Sequence, residues 1–481
     1  MYLGIDIGTS GIKAILMDEG GEVVAQATAS LPISRPEPLW SEQNPADWWR
    51  ATGVAIQRLP NDLRRQVTAI GLAGQMHGAT VLDASDTPLR PAILWNDGRC
   101  AKECEALEDR VSSLHDIAGN LAMPGFTAPK LLWLQTHEPD VFERIAKVLL
   151  PKDYIRLLIT GEYASDVSDA AGTLWLDVKK RDWSSEVLTA CGLDKGQMPK
   201  LYEGPEITGE LRSDIATEWG LPSGVPVVAG GGDNAAGAVG IGVFDAGDAF
   251  LSLGTSGVLF AADQAYQPNA SSGVHTFCHA LPGLWHQMSV MLSAASCLDW
   301  AANMTGANDV GALIAATADE AAFGTSKALF LPYLSGERTP HNNPEAQGVL
   351  FGLTHESGQA AIGQAVLEGV ALGFADGLDV LSSGSEIETI SVIGGGSRSD
   401  YWGRILAAAL ALPLTYRKYA DVGPALGAAR LAQMGLHGAR VPEFEAPPIE
   451  NEIVPLPQDI EFMAGQLERY RALYTQTKDL L

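Results

Sequence analysis

Basic residues are few for a chain of this length. The 481 residues include 32 Lys and Arg against 58 Asp and Glu, which gives a formal net charge of −26. Because nucleic-acid backbones and anionic membrane surfaces both need a basic face, this deficit argues against either as a partner. An anionic ligand is not excluded, since converging backbone amides can hold a phosphate in a locally positive pocket.

Long apolar runs and a leader pattern are also lacking. The sequence has no stretch of about 18 uncharged apolar residues, so no membrane span is predicted. The first segment, MYLGIDIGTSGIKAILMDE, has no basic region ahead of an apolar stretch and is typical of a strand, a turn and a strand, not of a signal peptide. With 46% hydrophobic and 19% charged residues, the composition predicts a large buried core, and the length predicts two or more domains.

Cysteine is scarce and scattered. The five cysteines are odd in number and spread along the chain, which favours free thiols in a reducing compartment and predicts a cytoplasmic location. Cys100 and Cys104 lie four residues apart, but no second pair or nearby histidine cluster completes a zinc site in the sequence. A structural role is therefore favoured for both.

One motif recurs half a chain apart. Residues 8–11 read Gly-Thr-Ser-Gly between two apolar segments, and residues 254–257 read the same between two others. Each copy predicts a β-hairpin with a turn rich in Gly, Thr and Ser. The recurrence predicts a duplicated α/β protein with domains at 1–243 and 244–481, packed around a cleft.

The first of these turns has the composition of a phosphate loop. Its glycines let backbone N–H groups converge on an anion, the hydroxyls of Thr9 and Ser10 add donors, and Lys13 adds a cation. Asp6 at the strand end is suited to hydrated Mg²⁺, which prefers one or two carboxylates with water and phosphate. An ordinary hairpin is the alternative, and the recurrence favours two phosphate loops. The pattern is not a Walker A loop.

Asp233 follows a strand and a glycine turn in the stretch GGGDNAAG. A carboxylate at this place, among small neighbours that leave room for a substrate, is suited to act as a base. The alternative is an N-cap of the helix that begins here. The two roles are compatible, and the local sequence does not choose between them.

Two further polar segments follow predicted strands. Met76 and His77 end an apolar strand beside glycine, where polar groups often line pockets in α/β folds, although a lone histidine is more often structural. Trp95 lies in a polar, aromatic loop and is either part of a pocket or simple core. Asp97 and Arg99 in the same loop are candidates for a structural ion pair.

A glycine-rich loop in the second half, Gly394-Gly395-Gly396-Ser397-Arg398, follows a β-branched strand and opens a helix. Such a loop lets a ligand approach the backbone closely, so a nucleotide site is one interpretation and a helix-entry turn is the other. The later segment 422–436 predicts a helix with small residues on one face.

Over nearly its whole length the chain resembles the FGGY carbohydrate kinases. The segments that carry the resemblance are GIDIGTSGIKAIL, RPEPLWSEQNPADWW, GLAGQMHGATVLD, RPAILWNDGRC, MPGFTAPKLLWL, LLPKDYIRLLITGE, SDVSDAAGTLWLDV, VVAGGGDNAAGAVG, LSLGTSGV, FLPYLSGERTPHNNPEAQGVLFGLT and DVGPALGAARLA. Each is weak alone, but in this order and spacing they are specific.

The resemblance implies two ribonuclease H-like (actin-like ATPase) domains, with sugar bound mainly to the first, ATP mainly to the second, and Mg²⁺ assisting transfer. By position it implies that Asp233 is the catalytic base and that Asp6 lies near the metal and the phosphates; both are candidate metal ligands. The candidate sugar contacts are Met76, His77, Trp95, Asp233 and Asn234. The candidate nucleotide and phosphate contacts are Gly8, Thr9, Ser10, Lys13, Gly254, Thr255, Ser256, Gly394, Gly395 and Arg398.

The substrate expectation also comes from the resemblance. Glycerol kinases of the family carry a charged Arg-Glu pair where this chain has Met76 and His77, so a ketopentose, D-xylulose, is expected, to be phosphorylated to D-xylulose 5-phosphate. The alternatives are another ketopentose or polyol such as ribulose, a stand-alone actin-like ATPase, and a sugar-binding regulator without catalysis. The resemblance is also consistent with a homodimer.

Overall fold

Each Gly-Thr-Ser turn joins two antiparallel strands in the computed structural model, which describes residues 1–320, 323, 327–381, 386–438 and 445–480. In the first hairpin Tyr2–Ile7 pairs with Gly11–Met17, and in the second Ala249–Leu253 pairs with Gly257–Asp263. Both predicted hairpins are confirmed.

The described residues form strands and helices that alternate over much of the chain. The strands are β1 (Tyr2–Ile7), β2 (Gly11–Met17), β3 (Val23–Ser30), β4 (Glu42–Gln43), β5 (Ala69–Gly74), β6 (Thr80–Leu82), β7 (Ala92–Ile93), β8 (Lys147–Leu149), β9 (Ala164–Asp166), β10 (Leu176–Asp177), β11 (Asp182–Trp183), β12 (Lys200–Tyr202), β13 (Ile207–Glu210), β14 (Pro226–Val228), β15 (Gly231–Gly232), β16 (Ala249–Leu253), β17 (Gly257–Asp263), β18 (His275–Cys278), β19 (Trp285–Met291), β20 (Leu329–Leu331), β21 (Val349–Phe351), β22 (Ile390–Ile393), β23 (Leu414–Arg417) and β24 (Ile449–Ile453). The helices are α1 (Pro45–Arg58), α2 (Asn61–Arg64), α3 (Ala101–Arg110), α4 (Leu114–Ala118), α5 (Thr127–His137), α6 (Pro139–Phe142), α7 (Pro151–Thr160), α8 (Val167–Ala171), α9 (Ser185–Ala190), α10 (Ser213–Trp219), α11 (Asp233–Ile241), α12 (Ser296–Thr305), α13 (Val310–Glu320), α14 (Gln359–Leu378), α15 (Asp400–Leu410), α16 (Gly423–His437) and α17 (Pro457–Thr477).

The chain divides into two compact units, each built around a large mixed sheet. The first unit comprises 1–244, 277–285 and 422–447, and the second comprises 245–276, 286–421 and 448–481. The sheet of the first unit has the strand order β13-β14-β5-β1-β2-β3, with β15 also paired to β5. The other large sheet has the order β18-β19-β17-β16-β22-β23-β24.

The internal repeat of the sequence extends to the topology of the two sheets. In the first, β2 and β1 are antiparallel, β1, β5 and β14 run parallel, and β13 returns antiparallel to β14. In the second, β17 and β16 are antiparallel, β16, β22 and β23 run parallel, and β24 returns antiparallel to β23. The predicted duplicated α/β architecture is confirmed by this shared order.

Helix α16 shows why small residues recur in its sequence. A Cβ atom added to Gly4 on β1 would lie 1.9 Å from the carbonyl oxygen of Ala425, and one added to Gly71 on β5 would lie 1.9 Å from that of Ala428. The helix therefore packs directly on the backbone of the first unit's central strands. The predicted small-residue face is confirmed.

The second unit has a long apolar helix at its core. Among the described residues α14 alone is long and apolar enough to cross a membrane, judged by length and composition, and 78% of its 18-residue apolar window is buried inside the fold. Its residues Val366, Val370 and Phe374 belong to the same buried cluster as the strands β16 and β22. This burial is that of a core helix of a globular unit.

Candidate active site

Asp6 lies near the end of β1, where the chain turns into the first Gly-Thr-Ser loop. The strand register places it opposite Lys13 on β2. Its Oδ1 atom is buried and has no hydrogen-bond partner among the described residues. The pKa of Asp6 is raised to about 7, chiefly by burial and then by the negative charge of Asp233, while Lys13 opposes both effects. The two carboxylates therefore lie close enough to influence each other.

Asp233 begins helix α11 directly after the short strand β15. Its Oδ1 atom accepts hydrogen bonds from the backbone N–H of Asn234 at 2.7 Å and from the Asn234 side-chain amide at 3.0 Å. Burial raises the pKa of Asp233 to about 6, and the bonds from Asn234 oppose that shift. Gly232 occupies the N-cap position, so the N-cap alternative for Asp233 is wrong. The Asp233 carboxylate is therefore not used to cap the helix.

The pair of carboxylates fits a hydrated divalent cation. Mg²⁺ is usually held by one or two carboxylates, with water and substrate phosphate completing its shell. An orphaned buried carboxylate oxygen on Asp6, beside a second carboxylate, supplies such a donor set. In the described part of the chain no group of three or more His, Cys, Asp or Glu is placed to hold a metal, so a cage made entirely of protein ligands is not observed there.

Met76 and His77 follow β5 and meet both the Asp233 turn and helix α8. A Cβ atom added to Gly232 would lie 2.9 Å from the Cγ atom of Met76, and one added to Gly172 would lie 2.6 Å from His77 Nδ1 and 2.9 Å from Met76 Cε. The His77 Nδ1 atom lies 2.6 Å from the carbonyl oxygen of Gly172. His77 has a φ of +67°, an uncommon backbone conformation for a residue other than glycine.

Helix α5 holds His77 in that conformation. The buried ammonium of Lys130 donates to the main-chain carbonyl of His77 at 2.9 Å, and the hydroxyl of Thr127 donates to the same oxygen at 3.1 Å. A second bond from Lys130 goes to the carbonyl of Gly125 at 2.7 Å. Burial lowers the pKa of Lys130 to about 7. Reasoning from the residues alone missed this support, although the segment was one of those that carry the family resemblance.

The first Gly-Thr-Ser loop is tied to Trp95 by side-chain hydrogen bonds. Trp95 Nε1 donates to the hydroxyl of Thr9 at 2.9 Å, and that hydroxyl donates to Gln75 Oε1 at 3.0 Å. Gln43 in turn donates to the main-chain carbonyl of Thr9 at 2.7 Å. Trp95 is 46% exposed, so the core alternative for it is wrong. The network presents the indole ring beside the loop.

The loop that carries Trp95 also contains the predicted ion pair. Arg99 Nη2 lies 2.7 Å from Asp97 Oδ2, and both side chains are buried. The same Asp97 carboxylate accepts a bond from the backbone N–H of Ser41 at 2.6 Å. The predicted structural role of this pair is confirmed.

The second Gly-Thr-Ser turn, in the other unit, is braced through its backbone. The carbonyl of Thr255 accepts from the backbone N–H of Ala294 at 2.9 Å and from the Ser296 hydroxyl at 2.8 Å, and the carbonyl of Gly254 accepts from Ala295 N–H at 2.9 Å. The side chain of Thr255 is exposed. These bonds fix the backbone of the turn, while the Thr255 hydroxyl is exposed and available to a ligand.

The glycine-rich loop after β22 forms one wall of a cavity of about 570 Å³ in the second unit. Gly395, Gly396 and Arg398 line it, together with residues of helices α12 and α13 and the first turn of α15. A Cβ atom added to Gly395 would meet nothing within 4 Å, whereas one added to Gly394, which has a φ of +92°, would lie 2.7 Å from the Leu253 carbonyl oxygen. A concave site with an apolar side and a few polar groups is typical of small-molecule and cofactor binding.

Comparison with known proteins identifies the family. A model of the N-terminal domain of the FGGY family of carbohydrate kinases matches residues 1–240, and a model of its C-terminal domain matches residues 249–436. The xylulose kinases of Escherichia coli (strain K12) and Klebsiella pneumoniae are each 58% identical to the chain, and each match covers 100% of both chains. The crystal structure of a xyloylose kinase from Brucella ovis matches with a TM-score of 0.95 and 49% identity over 100% of both chains. The chain belongs to the FGGY family of carbohydrate kinases.

Family membership defines the class of enzyme. The chain is an ATP-dependent sugar kinase with the two-domain α/β fold of that family. The family resemblance and the fold predicted from the sequence are therefore confirmed. The alternative of a stand-alone ATPase is not favoured by relatives that match over the whole chain.

Proposed function

We propose that the chain transfers the γ-phosphoryl group of ATP to D-xylulose and forms D-xylulose 5-phosphate. The observation that supports this most directly is the clustering of Met76, His77 and Asp233 around Gly172 and Gly232 in the first unit. The xylulose kinases to which the chain is 58% identical over its whole length support the choice of sugar.

Asp233 is the proposed general base. It would accept the proton from the terminal hydroxyl of the sugar as that oxygen attacks the phosphorus atom. A pKa of about 6 makes Asp233 a better base near neutral pH than an ordinary aspartate, while it remains ionised there. Because the transition state of phosphoryl transfer is loose, positioning and charge neutralisation contribute more than proton removal.

Met76, His77, Trp95 and Asn234 are the proposed sugar contacts. Trp95 is the partly exposed aromatic surface of the group, and the bond to Thr9 fixes its ring. Asn234 holds the Asp233 carboxylate through its backbone and side-chain N–H groups, and so orients the base.

The phosphates are the proposed ligands of the two Gly-Thr-Ser loops. The candidate donors are the amides and hydroxyls of Gly8, Thr9, Ser10, Gly254, Thr255 and Ser256, together with the ammonium of Lys13. Asp6 and Asp233 would hold Mg²⁺, which supplies positive charge against the phosphate oxygens when it is bound. The cavity beside Gly395 and Arg398 is proposed to take the adenosine, with Gly394 shaping the loop.

The proposed division of labour follows the sequence domains. Residues 1–243 would supply the sugar site and the base, and residues 244–481 the ATP site. A cytoplasmic location and a homodimer are proposed with it; the homodimer is checked by light scattering of the purified protein. A role in nucleic-acid or membrane binding is not proposed, given the net charge of −26.

A substrate panel tests the proposed function. ADP release is measured with Mg²⁺-ATP and D-xylulose, D-ribulose, L-ribulose, L-xylulose, glycerol, gluconate or no sugar, and the phosphorylated product is identified by mass spectrometry. The proposal requires a kcat/KM for D-xylulose well above that for every other sugar. Preference for another polyol would keep the kinase chemistry and overturn the substrate, and ADP release that is indifferent to sugar would overturn the phosphotransfer itself.

A further inference from the structure

A cluster of five ionisable side chains lies fully buried in the first unit. Its members are Lys152, Asp153, Arg156, Asp166 and Asp169, each with no exposed side-chain surface. Lys152 Nζ lies 2.7 Å from Asp153, 2.8 Å from Asp166 and 3.0 Å from Asp169. Removing so many charges from water is costly, and a buried ion network is seldom justified by stability alone. Stability alone therefore does not explain the cluster, and its contacts with the active-site backbone bear on its role.

One branch of the cluster reaches the backbone that carries Asp233. The Ser168 hydroxyl donates to Asp166 Oδ2, and the same hydroxyl accepts a bond of 3.1 Å from the backbone N–H of Gly232. Asp166 is itself fixed, because it caps helix α8 through the N–H groups of Ser168 and Asp169 and pairs with Lys152. A continuous chain of polar contacts thus runs from Lys152 to the residue directly before Asp233.

A second branch holds the strand that leads into the same turn. Arg156 donates to the carbonyl of Val228 at 2.6 Å and also to the carbonyl of Ala229. Between these contacts and the Ser168 bond lie Gly230, with a φ of +78°, and Gly231. Glycine is the most freely rotating residue, so a turn rich in glycine needs outside contacts to hold one geometry. One end of this turn is held by Arg156 of the cluster, and the other by Ser168, which is itself bound to Asp166 of the cluster.

We propose that Ser168 is a positioning residue for phosphoryl transfer, which fixes the Gly232 amide and through it the direction of the Asp233 carboxylate. The proposal rests on the proposed function, in which Asp233 is the base. Ser168 touches neither sugar nor nucleotide in this role, and it acts only through the backbone of residue 232. An error of about 1 Å in the placement of a reacting group can reduce a rate about a hundredfold, so one backbone contact at this place is consequential.

The same cluster offers a matched control. Ser165 is equally buried, and its hydroxyl donates to Asp153 at 2.6 Å, but none of its hydrogen bonds in the described part of the chain goes to the turn before Asp233. Ser165→Ala and Ser168→Ala each remove one buried hydroxyl that binds a carboxylate of the cluster. They differ in whether the lost hydroxyl also accepts from Gly232.

The test compares kcat and KM of Ser168→Ala, Ser165→Ala and Asp233→Asn with those of the parent enzyme, using D-xylulose and Mg²⁺-ATP. We expect kcat of Ser168→Ala to fall roughly tenfold or more with the KM for D-xylulose within about threefold, because the base is misdirected while the sugar contacts remain. We expect Ser165→Ala to keep kcat within about twofold, even if its melting temperature falls as much as that of Ser168→Ala. A normal kcat for Ser168→Ala, or equal kcat losses in the two serine variants, would overturn the positioning role.

Hydrogen exchange supplies a readout that does not depend on activity. The Gly232 amide is expected to exchange faster in Ser168→Ala than in Ser165→Ala, measured by mass spectrometry on peptides that cover 229–237. If the alanine variant does not fold, Ser168→Cys replaces it, because cysteine keeps a similar volume and is a weaker hydrogen-bond acceptor. The positioning role is then tested by the same two measurements, the steady-state kinetics and the exchange rate of the Gly232 amide. A normal rate for Asp233→Asn would instead overturn the proposed base, so failure of the inference and failure of the proposed function give different results.

Discussion

Lys130 donates a hydrogen bond of 2.9 Å from its buried ammonium to the main-chain carbonyl of His77. The bond holds His77 at a φ of +67°, where its Nδ1 atom faces the carbonyl of Gly172. A residue in this conformation persists only when its surroundings over-determine it. The geometry of a proposed sugar contact therefore depends on a lysine that does not itself face the sugar in this account.

Replacement of that lysine is expected to affect sugar binding selectively. Lys130→Met keeps the apolar stem and removes the donor, so His77 is released and the KM for D-xylulose should rise about tenfold, with the KM for ATP within about twofold. Steady-state kinetics with each substrate varied in turn measure both values. Lys180→Met, at a solvent-exposed lysine, is the control. An unchanged KM for D-xylulose in a folded Lys130→Met variant would show that His77 does not need this support.

The acidity of Asp233 sets the expected pH dependence of activity. Burial raises its pKa to about 6, and only the deprotonated carboxylate can accept the proton of the sugar. The value of kcat/KM for D-xylulose should therefore fall as the pH is lowered, with a midpoint no higher than about pH 6, because Mg²⁺ bound beside the carboxylate favours its ionised form. The profile is measured at saturating Mg²⁺-ATP, with enzyme returned to neutral pH as a control for unfolding. A value of kcat/KM that rises as the pH is lowered below 6 would contradict a carboxylate base.

Asp6 is expected to lower the stability of the enzyme at neutral pH. Its pKa in the folded chain is about 7 against an ordinary value of 3.8, so the folded state binds the proton more tightly than the unfolded state. The penalty for ionising it begins near pH 4 and is complete above about pH 7. Asp6→Asn removes that penalty and should add roughly 1–3 kcal/mol to the free energy of unfolding at pH 8, and less at pH 5, while activity is lost.

Thermal melts in EDTA at pH 5 and pH 8 check this prediction, because a bound cation would itself offset the charge. Glu105→Gln, at an exposed glutamate of α3, is the matched control and should leave the melting temperature nearly unchanged at both values. A lower melting temperature for Asp6→Asn at pH 8 would contradict the account, since it would mean that the ionised carboxylate stabilises the fold.

The cavity in the second unit predicts a variant that impairs nucleotide binding alone. Because a side chain at Gly395 meets no atom within 4 Å at its Cβ position, Gly395→Leu should fold normally and fill part of the space beside Arg398. The KM for ATP is expected to rise tenfold or more, with little change in D-xylulose binding measured by calorimetry. Gly465→Leu, on an exposed face of α17, adds the same side chain away from the cavity. An unchanged KM for ATP in Gly395→Leu would contradict the proposal that this cavity binds the nucleotide.

The elements that sequence reasoning predicted are those with a local chemical signature. A turn of Gly, Thr and Ser between apolar runs specifies a hairpin, and its second copy specifies the duplication seen in both sheets. Asp6 and Asp233 could be named as candidates because each is a carboxylate beside a glycine-rich turn, although the local sequence left an N-cap role open for Asp233. The small-residue face of α16 could also be predicted from the sequence, since close contact between backbones requires small side chains.

The support of the site could not be predicted in that way. The bond from Lys130 to the His77 carbonyl joins residues 53 apart in the sequence, and the bond from the Gly232 amide to Ser168 joins residues 64 apart. Nearly every residue has the same backbone N–H and C=O groups, so the sequence does not show which of them bonds to a given side chain. For Trp95, the exposure of the ring and the bond to Thr9 depend on where its loop lies relative to the turn after β1, and neither residue type determines that position.

The central claim is tested most directly by the rate at which Asp233→Asn forms D-xylulose 5-phosphate from saturating D-xylulose and Mg²⁺-ATP. The asparagine keeps the shape of the side chain and removes the proton acceptor, so the account predicts a fall in kcat of at least about a thousandfold, with a normal melting temperature and with D-xylulose still bound in calorimetry. A kcat within about tenfold of the parent enzyme would contradict Asp233 as the base.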